Sequence, residues 1–223
     1  MRILAVSDEV HDLLYRPSFL DKLKPIDVLL GCGDLPYTYM EYLFTQSAAH
    51  DAFFVHGNHD SAQSLSNGRT LEAPGGWVNV DRRLGLAGNH ALTVAGLEGS
   101  IRYRPQGRYQ YTEAEMRFRA QWLMLRLRLN RMRYGRTLDV FITHAPPRHI
   151  HDSPDGAHRG FTTFVRIIDR FQPRLFLHGH HHRYGTQTSH TKRGMTHVVN
   201  VHPYRILDIE QQRIAIDENV VET

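Results

Sequence analysis

The chain has 223 residues, 41% hydrophobic and 22% charged, which suits a globular domain with its own core and excludes a disordered chain. A single cysteine, Cys32, excludes an internal disulfide framework, and no apolar run approaches the roughly 20 residues of a membrane helix. The net charge of +4 is carried almost entirely by arginine, whose planar fork suits phosphate, so an anionic partner is allowed but not named. The 16 histidines are the compositional outlier.

The N-terminus runs from Met1 straight into strand-like residues, without a charged-then-apolar leader, so a cytoplasmic location is expected. Arg2–Val6 is short and apolar, as expected of a strand buried on both faces, and ends at Ser7-Asp8. Val28–Leu30 is a second strand, ending in Gly31-Cys-Gly-Asp34, and a helix is expected from about Thr38 to Ala49. Ala52–His56 is a third strand, ending in Gly57-Asn-His-Asp60. Strands that alternate with helix-length segments and close on Gly, Asp or Asn indicate parallel α/β units, whose ligands sit beyond the carboxyl ends of the strands.

Gly75–Gly99, with short apolar runs at Trp77–Val80, Leu84–Ala87 and Ala91–Leu97, reads as antiparallel hairpins with a turn at Gly88-Asn89. Tyr103–Tyr111 reads as a loop. Thr112–Tyr134 is the clearest helix: Thr112 and Glu115 form a capping box and Gly135 supplies the stop. Met116, Ala120, Leu123 and Leu127 share one face, with Leu125, Leu129 and Met132 expected alongside them. Arg119, Arg126 and Arg133 stripe another face, read as solvated, with nucleic-acid contact the lesser alternative.

Leu138–Thr143 is a further strand, ending at His144-Ala-Pro-Pro147. A polar loop, Arg148–Phe161, carries His149, His151 and His158. Thr162 is expected to cap a helix that runs to Phe171 before Pro173, and Arg174–Leu177 is a strand ending in His178-Gly-His-His-His182. The segment from Gly194 to Ile216 closes as strands. Without linker, repeat or low-complexity segment, residues 1–223 are expected to form one domain.

Five strand ends therefore carry a potential ligand: Asp8, Asp34, Asn58, His144, and the pair His180 and His182. Each taken alone is more often a cap or surface residue; chance placement at all five ends is far less common. Carboxylate, amide oxygen and imidazole together suit neither a thiolate zinc site nor an all-oxygen magnesium cage, but one or two divalent ions such as Mn, Fe, Zn, Co or Ni. Gly33, Gly57 and Gly179 permit the tight turns that bring short side chains to a common centre.

The order Asp8, Gly33-Asp34, Gly57-Asn-His-Asp60, His144 and Gly179-His-His-His182 resembles the calcineurin-like metallophosphoesterase family across most of the chain. The resemblance implies an α/β fold, two mixed β-sheets packed as a sandwich with helices on both outer faces, and two metals at one end. It implies that Asp34 bridges the metals, that Asn58, His144 and His180 complete one site, and that Asp8 and His182 belong to the other. His59 matches the family's catalytic histidine, the general acid for the leaving oxygen.

One position departs. The family's first motif is Asp, any residue, His, whereas this chain has Asp8-Glu9-Val10. Val10 cannot bind a metal. Water filling the vacancy is the favoured outcome, with Glu9 or His11 swinging in, or weak metal binding, as the others. Gly33-Asp34-Leu-Pro also lacks the Asp-Arg-Gly extension of the Ser/Thr protein phosphatases, which counts against a phosphoprotein substrate. A small or nucleotide-like phosphate ester is expected instead, with Arg102, Arg104 and Arg148 as candidate phosphate clamps and Tyr103, Tyr109 and Tyr111 as candidate base-stacking residues. A nuclease of the same fold and a catalytically degenerate metal-binding scaffold are the competing readings.

Overall fold

The computed structural model describes residues 1–135, 138–181, 188–210 and 214–216. β1 (Arg2–Val6) leads through a short 3-10 turn, Asp12–Tyr15, to α1 (Pro17–Leu23); β2 (Val28–Gly31), α2 (Tyr37–Ser47) and β3 (Asp51–Phe54) complete two parallel crossovers. A small ribbon of β4 (Gln63–Ser64) and β5 (Thr70–Leu71) precedes β6 (Val78–Asn79). The chain then enters a second sheet as a hairpin of β7 (Leu84–Ala87) and β8 (Leu92–Leu97). A short parallel pair, β9 (Ser100–Ile101) and β10 (Gln110–Tyr111), leads into α3 (Glu113–Tyr134). β11 (Val140–Thr143), α4 (Thr162–Phe171), β12 (Leu175–His178), β13 (His190–Arg193) and β14 (Thr196–Asn200) follow in that sheet or against it. β15 (Tyr204–Ile209) and β16 (Ile214–Ile216) return to the first.

The first sheet has the order β16-β15-β1-β2-β3-β6 and the second β13-β14-β12-β11-β8-β7. Both are mixed, with parallel strands at their centres; the second sheet has an antiparallel strand at each edge, and the first has antiparallel strands at the β15–β16 edge alone. Period-two alternation explains the layers. Ile3, Ala5, Val28 and Leu30 point between the sheets to meet Val94, Val140, Ile142, Leu175 and Leu177. Leu4, Val6 and Leu29 point the other way, onto Leu20 of α1 and Tyr39, Met40 and Leu43 of α2. Phe141 and Phe176 likewise face Met116, Ala120, Leu123 and Leu127 of α3, with Phe164, Ile167 and Ile168 of α4. The result is the expected helix-sheet-sheet-helix sandwich. Among the described residues no helix is long and apolar enough to cross a membrane.

Helix α3 has the expected ends. The Thr112 hydroxyl accepts the Glu115 N–H at 3.3 Å while the Glu115 carboxylate accepts the Thr112 N–H at 2.7 Å. Such a cap contributes about 1 kcal/mol. Gly135, at φ 71°, closes the helix in the left-handed region, where glycine has no Cβ penalty.

Four expectations need correction. Leu125, Leu129 and Met132 do not join the core face of α3 but are exposed, because the helix is apolar on opposite sides and only one can meet the sheet. The Trp77–Val80 run forms no hairpin; β6 pairs in parallel with β3 at the edge of the first sheet, and only β7 and β8 are antiparallel. Thr162 does not cap α4. Instead the carboxylate of Glu113, from α3, accepts the N–H groups of Thr162 and Thr163 at 3.1 and 2.8 Å, so one helix caps the other. Finally, Arg119 is not solvated: its guanidinium lies between Asp81 at 2.7 Å and Glu98 at 2.8 Å.

Candidate metal centre

β1, β2 and β3 in one sheet and β11 and β12 in the other all point their carboxyl ends to the same edge of the sandwich. The loops that follow are tied together through their backbones. The Asp8 N–H donates to the Gly33 carbonyl at 3.1 Å, and the Gly179 N–H to the His144 carbonyl at 3.0 Å. The Asp60 carboxylate, buried, accepts the Gly57 N–H at 2.8 Å and the Asp34 N–H at 3.2 Å, bracing the second and third loops against each other.

Two glycines are required by close approach. A Cβ at Gly57 would overlap the Asp34 carboxylate, and one at Gly179 would overlap Ser7 and the Asp8 carboxylate. Three of the candidate ligands, Asp8, Asp34 and His180, themselves adopt φ values of 65°, 57° and 66°. Non-glycine residues seldom take this left-handed conformation, which costs of order 1–3 kcal/mol and collects at functional sites.

The imidazole of His144 is the centre of the arrangement. Its Nε2 lies 3.1 Å from Asn58 Oδ1, 3.2 Å from Asp34 Oδ2 and 3.0 Å from His180 Nδ1. The outer atoms of these groups settle what the inner atoms present. His144 Nδ1 is 2.8 Å from the Cys32 carbonyl, and His180 Nε2 is 2.8 Å from the Ala157 carbonyl. A carbonyl accepts only, so each outer nitrogen is the N–H and each inner nitrogen, in the neutral ring, is a lone pair. Asn58 Nδ2 donates to the Tyr103 hydroxyl at 3.1 Å, which turns Oδ1 inward.

Four lone-pair donors thus converge on one point. They repel one another unless a cation sits among them, and outer hydrogen bonds of this kind are the usual orienting shell of metal ligands. The residues fit a divalent ion. Burial opposes charge on His144, but Asp34 and Asp8 outweigh it and raise its pKa to about 9. Asp34 is itself held down at about 2 because His144 and the His59 N–H overcome its desolvation. His180, desolvated and beside His144, falls to about 3 and stays neutral. Among the described residues, Asp34, His144 and His180 also form the one cluster of His, Cys, Asp or Glu side chains close enough to share an ion.

Asp8 stands on the other side. Its carboxylate accepts the Ser7 hydroxyl at 2.5 Å and the His180 N–H at 3.0 Å, and desolvation raises its pKa. Val10 packs on the apolar cluster of α1 and α2. Of its neighbours, Glu9 lies 3.3 Å from His202, and the His11 ring packs against Tyr204. His182, the remaining candidate ligand, lies outside the described residues.

Asp8, Asp34, His59, His158 and His180 line a cleft of about 320 Å³. The backbone N–H of His59 donates to Asp34 Oδ1 at 2.7 Å, which fixes the residue beside the cluster while its side chain stays exposed. His158 is the one of the three loop histidines that reaches this cleft, its Nδ1 held 3.0 Å from Asp155. None of the three candidate clamp arginines is among the lining residues. Arg102 is bound to the Gln110 carbonyl and Glu115, Arg148 to Asp152 at 3.0 Å, and Arg104 lies over the Tyr103 ring. The tyrosines serve their own domain: Tyr109 stacks on His56 and Tyr111 donates to Glu98. Tyr103, expected as a base-stacking residue, accepts the Asn58 amide on its hydroxyl; a loop tyrosine carries no local mark of that contact.

No curated protein sequence matches the chain. Its fold is similar to the crystal structure of TT1561 of Thermus thermophilus, with a TM-score of 0.61 and 19% identity over 96% of this chain and 97% of that one. It is also similar to GAP50, the anchor in the inner membrane complex of Plasmodium, with a TM-score of 0.57 and 10% identity over 97% of this chain and 83% of that one. The family model for calcineurin-like phosphoesterases matches residues 1–184, and the chain belongs to that family.

Proposed function

We propose that this protein hydrolyses phosphate esters of small or nucleotide-like substrates, with one or two divalent cations held in the cleft and His59 as general acid. The observation that carries the reading is the convergence of His144 Nε2, His180 Nδ1, Asn58 Oδ1 and Asp34 Oδ2. Asp34, Asn58, His144 and His180 would hold one ion; Asp8, with Asp34 and His182, would hold the other. A bound divalent ion supplies positive charge to the phosphoryl oxygens and acidifies water into the nucleophile's range. The chain's own groups do the rest. Asp34 stays ionised against its burial, so it offers a full negative charge to a cation without a proton to displace. His59, exposed beside the cluster, would give a proton to the departing alkoxide. His158, which also lines the cleft, would donate a hydrogen bond to a phosphoryl oxygen.

Hydrolysis of bis-p-nitrophenyl phosphate and of the mononitrophenyl ester, each with manganese and after chelation, tests this directly. Activity should vanish with the chelator and return with the ion. His59→Ala should keep its metal content and lose rate most for alkyl esters, whose leaving oxygen needs a proton. Equal slowing of nitrophenyl and alkyl esters would remove His59 from the role.

One observation favours a second reading, a binding scaffold stabilised by a single ion. Val10 leaves the Asp8 side short of an imidazole and neither Glu9 nor His11 turns toward it. A metal-loaded protein that hydrolyses neither nitrophenyl ester would establish the scaffold over the enzyme. The arginine stripe gives little support to a nuclease, since Arg119 is held by two carboxylates and Arg126 donates to the Arg82 carbonyl.

A further inference from the structure

Helix α3 carries two apolar stripes. Met116, Ala120, Leu123 and Leu127 are fully buried against the second sheet. On the opposite side, at 3.6 residues per turn, stand Phe118, Trp122, Leu125, Leu129 and Met132, which are 62%, 55%, 46%, 54% and 84% exposed. Single exposed apolar residues are ordinary. A contiguous row of five large ones is not, and marks an interaction surface.

The spacing identifies the kind of surface. From Phe118 to Met132 the steps are four, three, four and three residues, the a and d positions of a heptad repeat. The stripe is a narrow seam of that type rather than the broad apolar arc of a helix lying in a membrane interface. Its natural counterpart is another helix.

Charge identifies the partner. From Met116 to Tyr134 the helix has six arginines and no carboxylate. With Phe118 as d, the flanking e and g positions within that stretch are Arg119, Gln121, Arg126, Arg128 and Arg133, of which Arg119 is already neutralised by Asp81 and Glu98. A second copy would set arginine against arginine in either orientation, which disfavours self-pairing. Of these arginines, Arg126, Arg128 and Arg133 are exposed beside the seam. We propose that the outward face of α3 is a docking seam for an acidic amphipathic helix of a partner protein, apolar at a and d and carboxylate at e and g.

The test uses the full-length protein and a synthetic heptad peptide with leucine at a and d and glutamate at e and g. Two control peptides carry lysine at e and g, or serine at a and d. Trp77 is already buried, so a blue shift of tryptophan emission reports Trp122. Labelled-peptide anisotropy gives the affinity. The glutamate peptide should bind and shift the emission, and both controls should fail. The double variant Leu125→Gln, Leu129→Gln should bind the glutamate peptide about tenfold more weakly or worse, with phosphoesterase activity and circular dichroism unchanged. Four results would overturn the proposal: glutamate and lysine peptides binding alike; affinity unmoved by the double variant; binding to phosphatidylglycerol vesicles in place of the peptide; or a dimer in sedimentation that the double variant dissolves.

Discussion

On the His144 side of the cleft each inward atom has an outer partner that fixes its direction: Cys32 for His144, Ala157 for His180, Tyr103 for Asn58 and the His59 N–H for Asp34. On the Asp8 side one carboxylate has such support, from Ser7 and the His180 N–H, while the next position in the motif is a half-buried valine packed against the core. The difference teaches that a ligand set is built from its supports as much as from its donors. Where the supports are complete, the donors are held facing one another. Where the motif has valine, Glu9 lies against His202 and the His11 ring against Tyr204.

Substitutions can break this contrast. His144→Ala removes the central donor and should lower manganese affinity by more than roughly 100-fold, the upper end for losing an outer partner alone. Calorimetric titration measures it beside Asp8→Ala, which should leave the first-bound ion less affected; equal losses would abolish the distinction between the sides. Next in size is Gly57→Ala, whose Cβ would displace the Asp34 carboxylate. It should cost about 10–100-fold in affinity, whereas Gly156→Ala, where a Cβ meets nothing within 4 Å, should cost nothing.

Smaller effects sharpen it. Tyr103→Phe frees the Asn58 amide to present either end, and should weaken binding about 10-fold with little change in melting temperature. Val10→His supplies the absent imidazole. It should strengthen a second equivalent of manganese and leave the first unchanged, at a modest loss of packing against α1 and α2. A first equivalent that moved with position 10 would show that the two sides are not separable.

Much of the fold, and the strand ends that bring Asp34, Asn58, His144 and His180 together, are legible in the sequence. Short apolar runs ending in Asp, Asn or His locate the strands and the ends where ligands collect, and the Thr112–Glu115 box with Gly135 bounds α3 within a residue. What local pattern cannot show is partnership between distant segments. The Trp77–Val80 run looks the same whether it closes a hairpin or lies parallel to β3. Leu125 and Leu129 look like core because periodicity reports that a face is apolar, not that a sheet covers it. Arg102 and Arg148 resemble phosphate clamps until Glu115 and Asp152 are seen against them. Arg148 and Asp152 are four apart, so that pairing is readable; that of Tyr103 with Asn58, across 45 residues, is not.

Anomalous diffraction from a crystal soaked in manganese addresses the metal centre most directly. A peak should stand within bonding distance of His144 Nε2, His180 Nδ1, Asn58 Oδ1 and the Asp34 carboxylate together. A fully soaked crystal with no peak among those four atoms would contradict the assignment of the cleft as a metal centre, and the proposed hydrolysis with it.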